Sequence, residues 1–168
     1  RGGLNELDRT TGQARRYVHD PDDPYSLSHN VLRAIYEDSL GVFWIGTDDG
    51  LNTLDRATGK FTRYYHAPDN PRSLSSNLIQ SISQDRTGAL WIGTYGGGLN
   101  RYDPRDGTYT HITSDPQDPH SLGDNRVMSL FVDREGVLWV GTFGRGLDRF
   151  DRHSGRFFHY RHDREDKS

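Results

Sequence analysis

The residues in this sequence that could do chemistry are carboxylates and histidines that recur at nearly equal intervals. Asp38, Asp85 and Asp133 are separated by 47 and 48 residues, and carboxylates in a cleft could act as general acids and bases. Catalysis needs one asymmetric cluster of such groups, however, and not one copy in each repeat. We therefore expect these aspartates to accept hydrogen bonds from nearby backbone N–H groups in turns, and we predict no catalytic residue.

Histidine and carboxylate side chains could also hold a metal ion. The histidines that recur near the outer edges of the predicted sheets are His19, His66, His111, His159 and His162. A zinc site needs its ligands about 2 Å from one ion, and equivalent positions at the outer edges of neighbouring sheets lie far apart. The acidic segment 20–24 does not have the spacing of an EF-hand calcium loop. The sequence therefore predicts no metal site and no cofactor.

Composition excludes several further classes of function. The chain has no cysteine, which removes disulfides, thiolate chemistry and cysteine-ligated zinc. Its net charge is -3, with acids and bases interspersed, so we expect no nucleic-acid partner. No apolar run approaches the roughly 18 residues of a membrane span, so we expect no direct membrane contact. Hydrophobic residues make up only 32% of the chain, but 11% is aromatic, which predicts a thin core shared among small sheets.

The elements that must position these residues are copies of one repeat of about 48 residues. Trp44, Trp91 and Trp139 each begin the phrase Trp-Ile-Gly-Thr or Trp-Val-Gly-Thr, and a Gly-Leu pair follows each phrase. Further positions keep the same register, namely Asp8, Asp55, Asp103 and Asp151, Gly12, Gly59, Gly107 and Gly155, and Asn30, Asn77 and Asn125. Such self-similarity at a fixed period is the signature of a repeat architecture.

Each repeat is predicted to form four short strands, because runs of β-branched and aromatic residues alternate with Gly, Asp and Pro turns. The predicted strands of the middle repeat are 79–85, 89–94, 99–103 and 109–113. Three short connections and one long loop indicate a four-stranded antiparallel meander, which is the blade of a β-propeller. Leucine-rich and helical repeats have other periods or patterns, and a flat β-sandwich has no reason to repeat its sequence.

The prediction is therefore an all-β fold of about 3.5 propeller blades. The predicted units are 1–25, with the last two strands of a blade and a linking loop, and three blades in 26–72, 73–120 and 121–168. Positions that are constant across the repeats serve a need that every blade shares. For the three tryptophans we expect packing between blades. The alternative is that their indoles are arranged in a circle and stack against sugars. For the three asparagines we expect hydrogen bonds to loop backbone, and the alternative is that they face a ligand.

Positions that vary between repeats could instead build one asymmetric site. They lie in the turn between the second and third strands and just inside the first strand. The candidate ligand-binding residues are Arg33, Gln80, Met128, Asp48, Asp49, Tyr95, Phe143 and Arg145. Aromatic faces stack on sugar C–H groups and polar side chains pair with hydroxyls, so these residues could form a shallow carbohydrate-binding basin. Ordinary loop variability is the alternative.

The phrase Asp-Arg-Thr-Gly-Ala-Leu-Trp-Ile-Gly-Thr at 85–94, followed by Gly-Gly-Leu-Asn-Arg-Tyr-Asp, resembles the two-component regulator propeller repeat. The segment from Ser73 to Asn77 matches that family's pattern as well, and the resemblance covers nearly the whole chain. It implies the sensor of a bacterial hybrid two-component system, with seven-bladed propellers on the periplasmic or extracellular side of the membrane. Sensors of this kind often respond to oligosaccharides, and similar propellers also front cyclase-type signalling proteins.

We therefore expect a non-enzymatic, ligand-sensing propeller that recognises an oligosaccharide or a similar small ligand. Two alternatives stay open, an engineered or truncated self-assembling scaffold without a ligand and a propeller-fold polysaccharide lyase or hydrolase. The chain starts inside a repeat, so we expect it to be a fragment of a longer protein. Open blade faces and unpaired strand edges favour association, so the expected partner is a second copy, in a dimer that closes or nearly closes a ring.

Overall fold

The computed structural model describes residues 2–162, and the fold in this range is built from β-strands alone. One two-stranded and three four-stranded antiparallel sheets follow one another along the chain. This confirms the prediction of an all-β propeller segment with about 3.5 blades. Residues 163–168 of the predicted last blade lie outside the described range.

The described strands are, in chain order, β1 (Leu4–Leu7), β2 (Ala14–Tyr17), β3 (Leu32–Glu37), β4 (Phe43–Thr47), β5 (Gly50–Asp55), β6 (Lys60–Tyr64), β7 (Ile79–Gln84), β8 (Leu90–Thr94), β9 (Gly98–Asp103), β10 (Thr108–Ile112), β11 (Val127–Val132), β12 (Leu138–Thr142), β13 (Gly146–Asp151) and β14 (Arg156–Tyr160). We name β1–β2 the half-blade, and β3–β6, β7–β10 and β11–β14 blades 1, 2 and 3. Each blade is a meander in which strands adjacent in sequence are paired. The first strands β3, β7 and β11 lie side by side at the inner edge.

The outer strands end earlier than the sequence predicts, at Tyr64, Ile112 and Tyr160. The cause is the constant asparagine of the following loop. The side-chain oxygen of Asn77 accepts the backbone N–H of His66 at 2.7 Å, and Asn30 and Asn125 make the equivalent bond at 2.8 and 2.7 Å. This bond takes the N–H group that a longer strand would use and turns the chain into the loop.

Neighbouring blades pack through one large side chain from each second strand. Trp44 and Trp91 are 4% and 2% exposed, and each belongs to a buried cluster that it shares with apolar residues of the next blade. In both interfaces the indole meets an aromatic ring on the third strand of the next blade edge-on. The ring centroids of Trp44 and Tyr102 are 5.6 Å apart, and those of Trp91 and Phe150 are 5.4 Å apart.

The glycine of the repeated Trp-Ile-Gly-Thr phrase is required by the same interface. A Cβ atom at Gly46 would lie 2.5 Å from Cγ2 of Ile79, and one at Gly93 would lie 2.5 Å from Cγ1 of Val127. Ile79 and Val127 begin the first strands of blades 2 and 3 and are fully buried. Glycine therefore lets each blade approach the next closely.

Each tryptophan is also anchored within its own blade. Its indole Nε1 donates to the aspartate six residues earlier, at 2.8 Å in blades 1 and 2 and at 2.9 Å in blade 3. The other carboxylate oxygen of Asp38 accepts two backbone N–H groups of the following turn at 2.9 Å. Burial opposes ionisation of Asp85, but hydrogen bonds from Thr87 and Trp91 keep its pKa below the usual value. The recurring aspartates thus shape turns and orient the indoles.

We expect Trp91→Ala to lower the free energy of unfolding by about 3–5 kcal/mol, because it empties a buried interface between two blades. Trp139→Ala is the matched control. Trp139 keeps the bond to its aspartate but lies on the outer face of blade 3, where it is only partly buried. Its loss should therefore cost less. Urea denaturation followed by circular dichroism measures both values, and an equal loss would contradict the role of Trp91 in packing between blades.

Candidate ligand-binding surface

A β-bulge lies near the start of the first strand in every blade. The pairing of β3 with β4 skips Arg33, and the equivalent pairings of β7 and β11 skip Gln80 and Met128. Bulges bend a strand and re-aim the side chain of the extra residue, and they are over-represented beside functional sites. Arg33, Gln80 and Met128 are therefore the extra residues of the three bulges, and they lie outside the regular pairing of the strands.

The turns between second and third strands lie at the same end of the blades as these bulges. The first residue of each turn, Asp48, Tyr95 or Phe143, donates its backbone N–H to the residue just before the first strand, at 2.9–3.1 Å. Successive turns are also linked across the blade interfaces. The amide of Asn77 donates to Asp49 at 3.0 Å, and the N–H of Gly96 donates to the carbonyl of Asn125 at 3.0 Å. We name the turns 48–49, 95–97 and 143–145, together with the bulge residues Arg33, Gln80 and Met128, the variable row.

At the blade 1 end of the variable row, two candidate residues form a bidentate ion pair. Nε and Nη2 of Arg33 donate to the two carboxylate oxygens of Asp48 at 2.7 and 3.0 Å. The hydrogen bond from Arg33 holds the pKa of Asp48 below its usual value. The extra residue of the bulge is therefore held against the turn, and its charge is compensated.

At the blade 3 end, two candidate aromatic side chains and one arginine form a second cluster. The rings of Tyr95 and Phe143 meet edge-on with centroids 6.2 Å apart. The guanidinium carbon of Arg126 lies 4.8 Å from the centre of the Phe143 ring, within cation–π range. Tyr95 and Phe143 stay 37% and 50% exposed. We name Tyr95, Phe143 and Arg126 the aromatic platform.

The arginine of the aromatic platform is held by a carboxylate. Nε and Nη2 of Arg126 donate to Asp124 at 2.9 and 2.6 Å, and Nη2 also donates to the carbonyl of Phe143 at 3.3 Å. The hydrogen bond from Arg126 lowers the pKa of Asp124, and the same bond raises the pKa of Arg126. Both groups are therefore charged at neutral pH and fixed in orientation.

Arg126 and Asp124 are functional candidates that sequence analysis missed. The signal for Arg126 was present, because the residue after the constant asparagine is Val31, Leu78 or Arg126. It varies between blades as the other candidates do. Only the structure shows that this position meets the turn of its own blade.

The other candidates are not brought into either cluster. Within residues 2–162 Gln80 takes part in neither the ion pair of Arg33 nor the aromatic platform, and Met128 is 38% exposed without a place in that platform. Arg145 lines a separate cleft with Ser114 and His159. The structure therefore joins Arg33 with Asp48, Asp49 with Asn77, and Tyr95 with Phe143.

The constant residues are engaged elsewhere. The indoles of Trp44 and Trp91 are buried between blades, so neither offers a face to a sugar. The main-chain carbonyls of the three asparagines accept the N–H of the glycine that begins or precedes the third strand of the previous blade, at 2.7–2.9 Å. Within residues 2–162 no three His, Asp or Glu residues converge as a metal site would need, and no long apolar helix suited to a bilayer occurs.

Four-stranded meanders that share an inner edge and pack face to face define this chain as a segment of a β-propeller. Residues 26–49, 73–96 and 121–144 match the family model described as "two component regulator propeller". One matching segment therefore leads into each of the three blades, and the resemblance inferred from the sequence is confirmed.

Two solved structures from B. thetaiotaomicron are similar to the chain. The extracellular domain described as that of hybrid two component system BT3049 is 31% identical over 80% of this chain and 19% of its own, with a TM-score of 0.74. That of BT4673 is 29% identical over 94% of this chain and 22% of its own, with a TM-score of 0.75. This chain therefore spans about a fifth of the length of those domains.

A likeness of fold alone extends to an enzyme. Virginiamycin B lyase from Staphylococcus aureus is 15% identical over 96% of this chain and 49% of its own, with a TM-score of 0.65. Among curated proteins, none matches this sequence.

We expect Arg126→Gln to raise the pKa of Asp124 toward its usual value of 3.8, because the hydrogen bond from Arg126 is what lowers it most. Arg145→Gln is the matched control. Arg145 acts on Asp124 only through longer-range attraction, so the rise should be smaller. Carbon-detected NMR titration of the Asp124 carboxyl group measures both changes. Equal rises in the two variants would argue against the pair that holds the aromatic platform.

Proposed function

We propose that this chain is a non-enzymatic, ligand-recognising part of a bacterial two-component-type sensor. Its ligand is an oligosaccharide or a similar small molecule that binds on the variable row. The three regulator propeller repeats and the similarity to two extracellular sensor domains support the class of protein. The similarity also supports a place on the periplasmic or extracellular side of a bacterial membrane.

The observation that carries the proposal is the aromatic platform. Tyr95 and Phe143 are large, rigid and half exposed, although aromatic rings elsewhere in blades 1 and 2 are mostly packed between sheets. Blade 1 has Asp48 at the equivalent position, so the aromatic platform is a local departure from the repeat. A single asymmetric surface on a repeated scaffold is the arrangement that a specific ligand requires.

The polar groups around the aromatic platform fit a hydroxyl-rich ligand. Arg126 pairs with Asp124, and Arg33 pairs with Asp48, so donors and acceptors stand at fixed positions. Such fixed groups can bond sugar hydroxyls, and the apolar ring faces can stack against sugar C–H groups. The exposed parts of both pairs stay accessible to solvent, with 41% of the Arg126 side chain exposed.

A non-enzymatic role is supported by the use that the structure makes of its carboxylates. Asp38, Asp85 and Asp133 each bind an indole and backbone N–H groups. Asp48 and Asp124 are neutralised by arginines. Asp85 also accepts the hydroxyl of Thr87 within its own turn, but none of the five is paired with a histidine or a second acid in the way that acid–base catalysis needs. The likeness to virginiamycin B lyase is one of fold and carries no activity to this chain.

We expect Phe143→Ala to weaken oligosaccharide binding at least tenfold, which is about 1.4 kcal/mol, because it removes one of the two aromatic rings of the aromatic platform. A glycan array with neutral and acidic oligosaccharides identifies the probe, and isothermal titration calorimetry then measures Kd. Tyr25→Ala is the matched control, since Tyr25 is a 55% exposed aromatic residue on a linking loop outside the variable row. Its Kd should match that of the wild type. Binding of no glycan, or an unchanged Kd for Phe143→Ala, would contradict the proposal.

We also propose that the 168-residue chain associates with a second copy, in a dimer that closes or nearly closes a ring. The outer face of blade 3 supports this. Leu147 is 39% exposed there, whereas its equivalents Leu51 and Leu99 are fully buried against the next blade. Phe131 and Tyr160 on the same face are 63% and 51% exposed. Apolar exposure of this kind is typical of a surface that another sheet covers.

Multi-angle light scattering at micromolar concentration tests the association. We expect a dimer for the wild type and a shift toward monomer for Leu147→Asp, because a charge on this face opposes its burial. Leu40→Asp is the control, since Leu40 is 79% exposed in a turn, and it should leave the mass unchanged. A wild-type chain that stays monomeric would refute the proposal.

A further inference from the structure

A buried polar position on the third strand of each blade anchors the loop that leads into that blade. It holds Asn52 in blade 1, Asn100 in blade 2 and Asp148 in blade 3, and all three are fully buried. In each case a side-chain oxygen accepts the backbone N–H of a loop residue, Ser28, Ser75 or Gly123, at 2.8–2.9 Å. The anchor is the same in all blades, but in blade 3 it is a carboxylate.

The anchor is neutral and self-contained in blades 1 and 2. The amide of Asn52 donates back to the hydroxyl of Ser28 at 2.8 Å, and that of Asn100 donates to the hydroxyl of Ser75 at 2.7 Å. Every group in this exchange is uncharged over the whole physiological pH range. In blade 3 both partners differ. Asp148 stands in place of the asparagine, and Gly123, which has no hydroxyl, stands in place of the serine.

In blade 3 a histidine takes the place of the missing hydroxyl. Nδ1 of His159 lies 2.6 Å from Oδ1 of Asp148, and Nε2 lies 3.0 Å from the backbone carbonyl of Pro119. A carboxylate and a carbonyl oxygen only accept hydrogen bonds, so both ring nitrogens of His159 must carry a proton to satisfy them. Two acceptors that face the two ring nitrogens fit an imidazolium beside a carboxylate that is fully buried.

Other histidines near the linking loops do not have this requirement. His66 meets a carbonyl through Nδ1, and His111, the equivalent of His159 in blade 2, meets the carbonyl of Ser73 through Nε2 at 2.8 Å. Each of them uses one ring nitrogen, which a neutral imidazole supplies. In blade 1 the same position is Arg63, which donates to the carbonyls of Asp23 and Ser26 at 2.8 and 2.7 Å. Of the three clamps, only that of blade 3 therefore places an acceptor against both nitrogens of a histidine ring.

Several further charged groups surround His159. Asp115 and Asp118 of the linking loop, Arg145 of the β12–β13 turn and Arg161 beyond β14 share its cleft. His162 lines an adjoining cleft, and the ring of His120 packs near Phe158. The carboxylate in direct contact with the ring is that of Asp148, 2.6 Å from Nδ1 and fully buried.

We propose that Asp148 and His159 form a proton-dependent latch on the loop 114–126. This loop carries Arg126, which belongs to the aromatic platform, and Asp124, which binds Arg126. When His159 loses its proton, the neutral ring keeps its N–H on Nδ1 beside the buried carboxylate, and the bond from Nε2 to the carbonyl of Pro119 in the loop is lost. The loop then loosens, and the aromatic platform loses its support. The latch is a property of the folded chain and does not depend on what ligand the aromatic platform binds.

The direction of the pH effect follows from where the proton is held. The closed latch holds a proton that an unfolded histidine releases at about pH 6.5. The protection that the latch gives is therefore complete at mildly acidic pH and is lost as the pH rises. The neutral anchors of blades 1 and 2 have no such dependence over the same range.

Amide hydrogen exchange on the 168-residue chain tests the latch without any ligand. The N–H of Gly123 reports on blade 3, and the N–H of Ser75, which is bound in the same way to Asn100, is the internal control. After correction for intrinsic exchange, we expect the protection of Gly123 to fall at least about tenfold between about pH 6 and pH 8.5. That of Ser75 should stay constant. Nitrogen NMR of the His159 ring should show both nitrogens protonated at the lower pH.

Three variants separate the latch from general loosening. Asp148→Asn copies the neutral anchor of the other blades and should abolish the pH dependence at Gly123. His159→Arg copies Arg63, a donor that stays charged, and should keep protection high at both pH values. His111→Gln is the matched control and should leave the Gly123 profile unchanged. A neutral His159 ring at about pH 6 in the wild type would overturn the proposal even if a variant failed to fold, and so would equal pH profiles at Gly123 and Ser75.

Discussion

The contact between the indole of one blade and the first strands of the next is the interaction on which the rest of the structure depends. No blade has a core of its own, because each is a single sheet and the chain is only 32% hydrophobic. Two of the three buried apolar clusters form where Trp44 or Trp91 fills the space between two sheets, and in the third Tyr17 of the half-blade packs on blade 1. The aspartate that binds the indole and the glycine that admits the next strand both serve this contact. Since the contact recurs, it sets the position of every loop.

A scaffold of this kind allows a ligand site to change without a change of fold. The bulge is present in all three first strands, but its extra residue is Arg33, Gln80 or Met128. The backbone therefore presents the same position three times with three different chemistries. The turns beside these bulges are bound to their own blade by one backbone hydrogen bond each, so side chains there can vary at little cost in stability. The aromatic platform is the result of such variation in blades 2 and 3.

The sequence was sufficient for the architecture because the repeat itself encodes it. A constant Trp-Ile-Gly-Thr phrase and constant turn residues predict a sheet that stacks on copies of itself, and the strands were placed to within one or two residues. The indole–aspartate bond was not foreseen, although the six-residue spacing of Asp85 and Trp91 is constant, because spacing alone does not show which strand face a side chain takes. The aromatic platform was predicted in part. Tyr95 and Phe143 varied visibly, but Arg126 joins them through tertiary contacts that no local pattern reports.

The charged anchor of blade 3 has no explanation in folding alone. Blades 1 and 2 hold the equivalent loop with Asn52 and Asn100, so a neutral amide meets the same structural need. A buried ion pair has a large desolvation cost and is seldom more stable than a neutral replacement. The replacement of the neutral anchor in blade 3 involves three positions together, since Asp148 occurs with Gly123 and with His159, which contacts two acceptors. It occurs in the blade whose loop supports the aromatic platform. A carboxylate that folding does not need, bound to the loop that carries Asp124 and Arg126, is best understood as a control on the aromatic platform.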